Sequence, residues 1–172
     1  TAGAIGEKFE GEIRPGHFDG MLTVVNRLFD IVQPDSVFFG QKDAQQVALV
    51  KQMLHAQIAT GSRAPIELVV GPTIRNESGL ALWSRNKFLR EEDLPAALSL
   101  SKALFAGSAG NTREEVLSLA RAEISPHAKL EYLELVDADS FEPTEPGHSL
   151  AALIVAAKVG EVRLIDTMNV QL

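Results

Sequence analysis

Cysteine is absent from the 172 residues, which excludes disulfides and thiolate chemistry and is compatible with a cytoplasmic protein. There is no run of lysine and arginine, and the net charge is -7 with a pI near 5.1, so nothing supports binding to a nucleic acid backbone. An anionic substrate would therefore need a local basic pocket. No apolar run approaches the roughly 18 residues that cross a bilayer, and residues 1–12 lack the basic-then-apolar order of a signal peptide. The chain also opens without methionine, and no strand-turn-helix unit precedes its first long helix. What remains is ordinary for a packed core, with 45% hydrophobic residues over one domain or one and a half.

Periodicity organises the first part. Phe18, Met21, Leu22, Val25, Leu28, Phe29 and Val32 recur at helical spacing and predict one buried face, ended by Gln33-Pro34-Asp35. Ser36 to Phe39 reads as a short strand. Asp43 is placed to cap the following helix, whose apolar stripe is Val47, Val50, Leu54 and Ile58. Gly61 to Pro65 breaks that helix, and Ile66 to Val70 reads as a second strand parallel to the first through a right-handed crossover.

The character changes after Gly71-Pro72-Thr73, so segments 1–73 and 74–172 are read as separate units. Asn76-Glu77-Ser78-Gly79 marks a turn, and helices are expected over Glu91 to Phe105 and Arg113 to Ile124. The second opens on a capping box of Thr112 and Glu115. Strands over Leu130 to Val136, Leu150 to Ala157 and Val162 to Val170 follow, the last two as a hairpin at Gly160. The fold class is α/β: half of a doubly wound parallel sheet, then a small α+β domain with a three-stranded antiparallel sheet.

Four groups of residues could carry chemistry. Gly40-Gln41-Lys42-Asp43 sits where a strand becomes a helix, the place where open parallel sheets collect ligands. Glycine admits a ligand to the backbone, Lys42 neutralises a phosphate, Asp43 accepts from hydroxyls, and Gln46 shares the Asp43 face one turn on. The plainer reading is a turn glycine, a solvated lysine and a capping aspartate. The uncharged Gln45-Gln46 pair tips the balance towards function.

The second group, Ser84-Arg85-Asn86-Lys87, offers hydroxyl, guanidinium and amide donors suited to a triphosphate, although such a run is usually a solvated face. The third is His17 at a helix start, more often structural than functional. The fourth, Asp137, Asp139, Glu142 and Glu145, has no metal-loop spacing and is better read as a polar connector.

Three motifs stand in order: Arg14-Pro15-Gly16-His17-Phe18, then Val37 to Gln46, then Arg75-Asn76-Glu77-Ser78-Gly79-Leu80-Ala81-Leu82-Trp83-Ser84-Arg85-Asn86-Lys87-Phe88-Leu89. Together they closely resemble the pantothenate synthetase (pantoate-beta-alanine ligase) family, over essentially the whole chain. The resemblance implies a cytoplasmic, usually dimeric enzyme of the nucleotidylyltransferase superfamily with a Rossmann-like sheet and a carboxyl-terminal lid domain. It implies ATP, with Mg2+, activating pantoate to a pantoyl adenylate that beta-alanine converts to pantothenate and AMP.

Carried over by position, Gly40 and Asp43 would meet the ribose, and Lys42, Ser84 and Arg85 would grip the phosphates as the catalytic set. Gln46 would bind pantoate, His17 would line the substrate pocket, and Ile74 and Leu82 would flank adenine. The Ser84-Arg85 loop is expected to close over ATP.

Departures accompany the match: Trp83 replaces the first of two serines, Ala44 a tyrosine, Gln41 a glutamate and Leu82 a methionine. Family members carry a front portion of a hundred or so residues with a paired-histidine motif. The resemblance therefore implies a carboxyl-terminal portion that is inactive or weak alone. Two other readings stay open: a different nucleotidyltransferase using the same sheet corner, and a non-catalytic remnant that self-associates through an incomplete sheet edge.

Overall fold

The structure, a computed structural model, describes residues 1–144 and 150–170. It comprises two compact units. One is formed by Thr1–Gly71 with Asp139–Phe141, the other by Pro72–Ala138 with the chain from Glu142.

In the first unit a 3-10 turn over Ala4–Glu7 and the short helix α1 (Glu10–Ile13) lead into α2 (His17–Val32). Helix α2 starts after Gly16 in the left-handed region and stops at Gln33, also left-handed, one residue before Pro34. The expected stripe along α2 is only partly covered. Phe18, Leu22 and Phe29 are buried and Met21 and Val25 half-buried, but Leu28 is 51% and Val32 65% exposed. Periodicity reports which residues share a face, and in this unit one turn of that face has no neighbour above it.

Strand β1 (Ser36–Gly40) runs into a 3-10 turn over Gln41–Asp43 and then α3 (Ala44–Ala59). Val47, Ala48, Leu49, Val50 and Leu54 of α3 are buried, and α3 ends in a turn where Ser62 donates its N–H to the Gln57 carbonyl. Strand β2 (Glu67–Gly71) pairs with β1 in parallel, Ser36 opposite Glu67 and Gly40 opposite Gly71. Among the described residues each of these strands has a single partner, and Phe38 is 76% exposed.

The second unit begins with the turn at Asn76–Gly79. Gly79 holds φ 94°, a value that only glycine reaches without strain, and the Asn76 side-chain oxygen accepts from Leu80 N–H at 2.9 Å. Ser84–Phe88 and Glu91–Asp93 are 3-10 turns. The helix expected from Glu91 therefore begins only at Leu94, as α4 (Leu94–Gly107), with Pro95 in its first turn where no N–H is needed.

Helix α5 (Arg113–Glu123) is capped by the Thr112 hydroxyl, which accepts from Glu115 N–H at 3.2 Å. The reciprocal half of the expected capping box is displaced by one residue: the Glu115 carboxylate accepts from Asn111 N–H at 2.9 Å, not from Thr112. Strands β3 (Ala128–Asp137), β4 (Ala151–Val159) and β5 (Val162–Val170) form an antiparallel sheet with β4 in the centre. Residues 151–157 of β4 are buried without a break, the pattern of a strand covered on both faces. Leu100, Leu104, Val116, Leu133, Leu135, Leu153 and Val155 join one core from α4, α5 and the sheet.

Of the acidic group, Asp137 closes β3. Asp139 receives the Lys51 ammonium at 2.9 Å, and the Glu142 carbonyl accepts from Asp137 N–H. Glu145 lies outside the described residues. No helix among the described residues is long and apolar enough to cross a membrane.

Candidate functional site

Strand β1 ends at Gly40 with extended backbone, and a Cβ built there would meet nothing within 4 Å. Packing within the chain therefore does not demand glycine at this position. Lys42 follows in the 3-10 turn. It is buried, at 9% exposure, and is not the solvated lysine of the plainer reading. Its ammonium lies 3.8 Å from the Asp43 carboxylate, whose side chain is half exposed.

Asp43 does not cap α3, contrary to expectation. It occupies the N-cap position with φ -94° and ψ 54° but makes no side-chain cap bond, so the first N–H groups of α3 have no side-chain acceptor from it. A helix start without such a cap, beside a carboxylate with an exposed edge, can receive polar oxygens of a ligand.

The two adjacent glutamines separate cleanly. Gln45 is buried and structural: its amide donates to the Ile5 carbonyl at 2.7 Å and the Lys8 carbonyl at 2.8 Å, and its oxygen accepts from Glu10 N–H at 3.2 Å. It stitches the first turns of the chain to α3. Gln46 is half-buried, and no hydrogen bond of its side chain occurs among the described residues.

His17 is the first residue of α2, half-buried, with its ring 5.2 Å from that of Phe18. Burial holds its pKa below the ordinary imidazole value, the Arg14 charge pushes it further down, and the Glu10 carboxylate partly offsets both. At neutral pH the ring is uncharged and can accept or donate one hydrogen bond at each nitrogen.

In the second unit the turn brings Ile74 and Leu82 side by side. Leu82 donates its N–H to the Ile74 carbonyl at 2.8 Å, and the two side chains are 61% and 54% exposed. An exposed apolar pair on a fixed backbone hairpin is suited to a flat ring. The chain then turns at Trp83 into the Ser84–Phe88 segment. Asn86 holds that segment, donating its backbone N–H to the Trp83 carbonyl at 3.0 Å and its amide to the Ala81 carbonyl at 2.8 Å.

Ser84 and Arg85 are exposed, and the Arg85 guanidinium lies 4.7 Å from the centroid of the Trp83 ring. Sequence reasoning assigns no role to Arg75, yet it anchors the whole turn. Arg75 is clamped to Asp166 of β5 and also donates to the Gly79 carbonyl at 3.2 Å. Its only signal in sequence is an arginine at the mouth of a reverse turn.

Two surface clefts lie in the first unit, of about 500 Å³ and 680 Å³, both along Thr1, Ala2 and Asp19. Pro15, Gly16 and Phe18, the neighbours of His17 in its motif, line the first, and none of His17, Gly40, Lys42, Asp43 and Gln46 lines either one. Among the described residues no three histidine or carboxylate side chains come together as a metal site.

The family model for pantoate-beta-alanine ligase matches residues 1–169. A pantothenate synthetase of Leifsonia xyli is 47% identical across all of this chain and 60% of its own length. One from Thermobifida fusca is 46% identical over 99% of this chain and 59% of its own length. The chain thus spans about 60% of the curated relatives it matches.

Among solved structures, the pantothenate synthetase of Thermus thermophilus superposes with a TM-score of 0.86 at 38% identity, over 95% of this chain and 60% of that one. The pantoate-beta-alanine ligase of Francisella tularensis, complexed with beta-gamma ATP and beta-alanine, gives 0.67 at 34% identity, over 95% and 54%. Sequence identity well above the level at which fold alone is shared, spread over nearly every residue, places this chain in the pantoate-beta-alanine ligase family.

Proposed function

We propose that the protein serves the ATP-dependent condensation of pantoate with beta-alanine, through a pantoyl adenylate, to pantothenate, AMP and pyrophosphate. The observation that carries this reading is the corner at the end of β1. Gly40 has open space where a side chain would be, Lys42 supplies a cation, Asp43 an exposed carboxylate edge, and α3 starts without a side-chain cap.

In the first step a pantoate carboxylate oxygen attacks the α-phosphorus, and the bond from that phosphorus to the bridging oxygen breaks, with its electron pair leaving on pyrophosphate. Lys42 is assigned to the charge that gathers on the phosphates, and Ser84 and Arg85 are assigned to phosphate oxygens as well. Gly40 through its backbone and Asp43 through its carboxylate take the ribose. Ile74 and Leu82 flank adenine, and the loop carrying Ser84 and Arg85 acts as a lid.

In the second step the beta-alanine amine attacks the acyl carbon, the carbon-nitrogen bond forms, and AMP leaves with the electron pair while the amine sheds a proton. An adenylate is already activated, so positioning by Gln46 on pantoate and by neutral His17 in the pocket can supply much of the acceleration. The described residues offer no cage of carboxylates for Mg2+. When bound, Mg2+ would neutralise phosphate charge. A cytoplasmic setting and a homodimer belong to the same reading, supported by the absence of cysteine and by the open edges of the β1–β2 sheet.

The test is AMP release by the purified protein with ATP, magnesium, pantoate and beta-alanine, with pantoate omitted as control. Pantoate-dependent AMP supports the reading. Nucleotide transfer to a phosphate ester in place of pantoate would instead identify a different nucleotidyltransferase. One observation favours the non-catalytic alternative, a self-associating protein: Leu28, Ile31, Val32 and Phe38 of the first unit are all more than half exposed. A stable dimer that fails to bind ATP would decide for it.

A further inference from the structure

We propose that Trp83 is a positioning residue for Arg85, its indole face holding the guanidinium so that the in-plane N–H donors stay available to phosphate oxygens. The inference rests on the phosphate-gripping role proposed for this loop. Three observations carry it. The guanidinium carbon of Arg85 sits 4.7 Å from the ring centroid, within the range of an attractive cation–π contact. Trp83 itself is half-buried and packs against the core of the second unit, and its carbonyl is tied to Asn86 N–H at 3.0 Å, so the ring is a fixed platform. Arg85 is exposed and, among the described residues, forms no ion pair with a carboxylate.

The geometry of the guanidinium decides what this arrangement is for. A carboxylate partner would consume its N–H fork, because those donors lie in the plane of the group. An aromatic partner uses the face and leaves the edge free. The cation–π contact therefore restricts a long side chain to fewer rotamers before any anion arrives, and that lowers the ordering cost of binding.

The experiment uses the full chain and inorganic pyrophosphate as probe, followed by phosphorus NMR line broadening. Trp83→Leu keeps an apolar side chain on the core but removes the π face, and Trp83→Tyr restores one. The half-saturating pyrophosphate concentration is expected to rise about 2- to 5-fold in Trp83→Leu, the size of an exposed cation–π contact, and to return close to wild type in Trp83→Tyr. Trp83 is the only tryptophan, so Arg85→Met should also shift the fluorescence of the ligand-free chain. Unchanged binding in Trp83→Leu alongside weakened binding in Arg85→Met would overturn the positioning role and leave the phosphate role of Arg85 intact. If Arg85→Met binds pyrophosphate as well as wild type does, the phosphate role falls and the inference falls with it.

Discussion

Arg75 and Asp166 face each other as a two-pronged ion pair: Nη1 donates to Oδ2 at 2.6 Å and Nη2 to Oδ1 at 3.0 Å, with the side chains only 14% and 5% exposed. They stand 91 residues apart in sequence, and the pair fastens the turn that leads to Ser84 and Arg85 onto β5. Phe105 lies under the same guanidinium, 5.4 Å from ring centroid to charge.

Breaking one half of this pair leaves a buried charge without its partner. Asp166→Asn is expected to lower the unfolding free energy by about 3 to 5 kcal/mol, measured by denaturant titration. The double substitution Arg75→Met with Asp166→Leu should cost less than either single one. A loss below about 1 kcal/mol for Asp166→Asn would show that the clamp contributes little.

Gln45 and Gln46 predict opposite phenotypes. Gln45→Leu strips partners from two carbonyls and one N–H, so a loss of about 2 to 4 kcal/mol is expected. Gln46→Ala should barely move the unfolding midpoint while raising the KM for pantoate. Thermal melts and a pantoate titration of AMP release, run on both variants, check the contrast.

Lys42 tests the phosphate corner. Lys42→Met retains most of the buried stem and removes the charge, so its stability cost should stay below about 1.5 kcal/mol. Pantoate-dependent AMP release should fall by about 10²- to 10³-fold, the range for loss of one preorganised donor to a developing charge. Wild-type turnover in this variant would remove Lys42 from the reaction.

His17 should titrate below the ordinary imidazole value of about 6.5 in a proton NMR titration. Arg14→Ala is expected to raise that midpoint and Glu10→Gln to lower it further, following the sign of each charge. Folding depresses this pKa, so the stabilisation tied to the neutral ring is complete above the unfolded value and is lost as pH falls through the folded one. His17→Gln should therefore lose less stability than wild type between pH 7 and pH 5.

Much of this architecture is legible in local pattern. The breaks at Gln33-Pro34, Gly61 to Pro65 and Gly160, and the unbroken apolar run of β4, mark element ends and a covered strand without reference to any neighbour. Local pattern stops at the question of what lies opposite. The α2 stripe marks Leu28 and Val32 as one face with Phe29, and only packing shows that Phe29 alone of these three is covered. The same limit explains Asp43, an apt capping residue by type whose side chain turns out not to cap.

What the sequence by itself determined is the order of elements, the family, and the short stretches in which chemistry concentrates, because hydrophobic period, turn residues and contiguous motifs are written along the chain. Only the tertiary structure decided which residues within those stretches are free to act. It buried Gln45 against the first turns, took Lys42 out of bulk water, seated Trp83 on a core with Arg85 on its face, and joined Arg75 to Asp166. Those outcomes depend on which distant backbone or side chain arrives alongside, and on the cost of leaving a polar group unmet when it does.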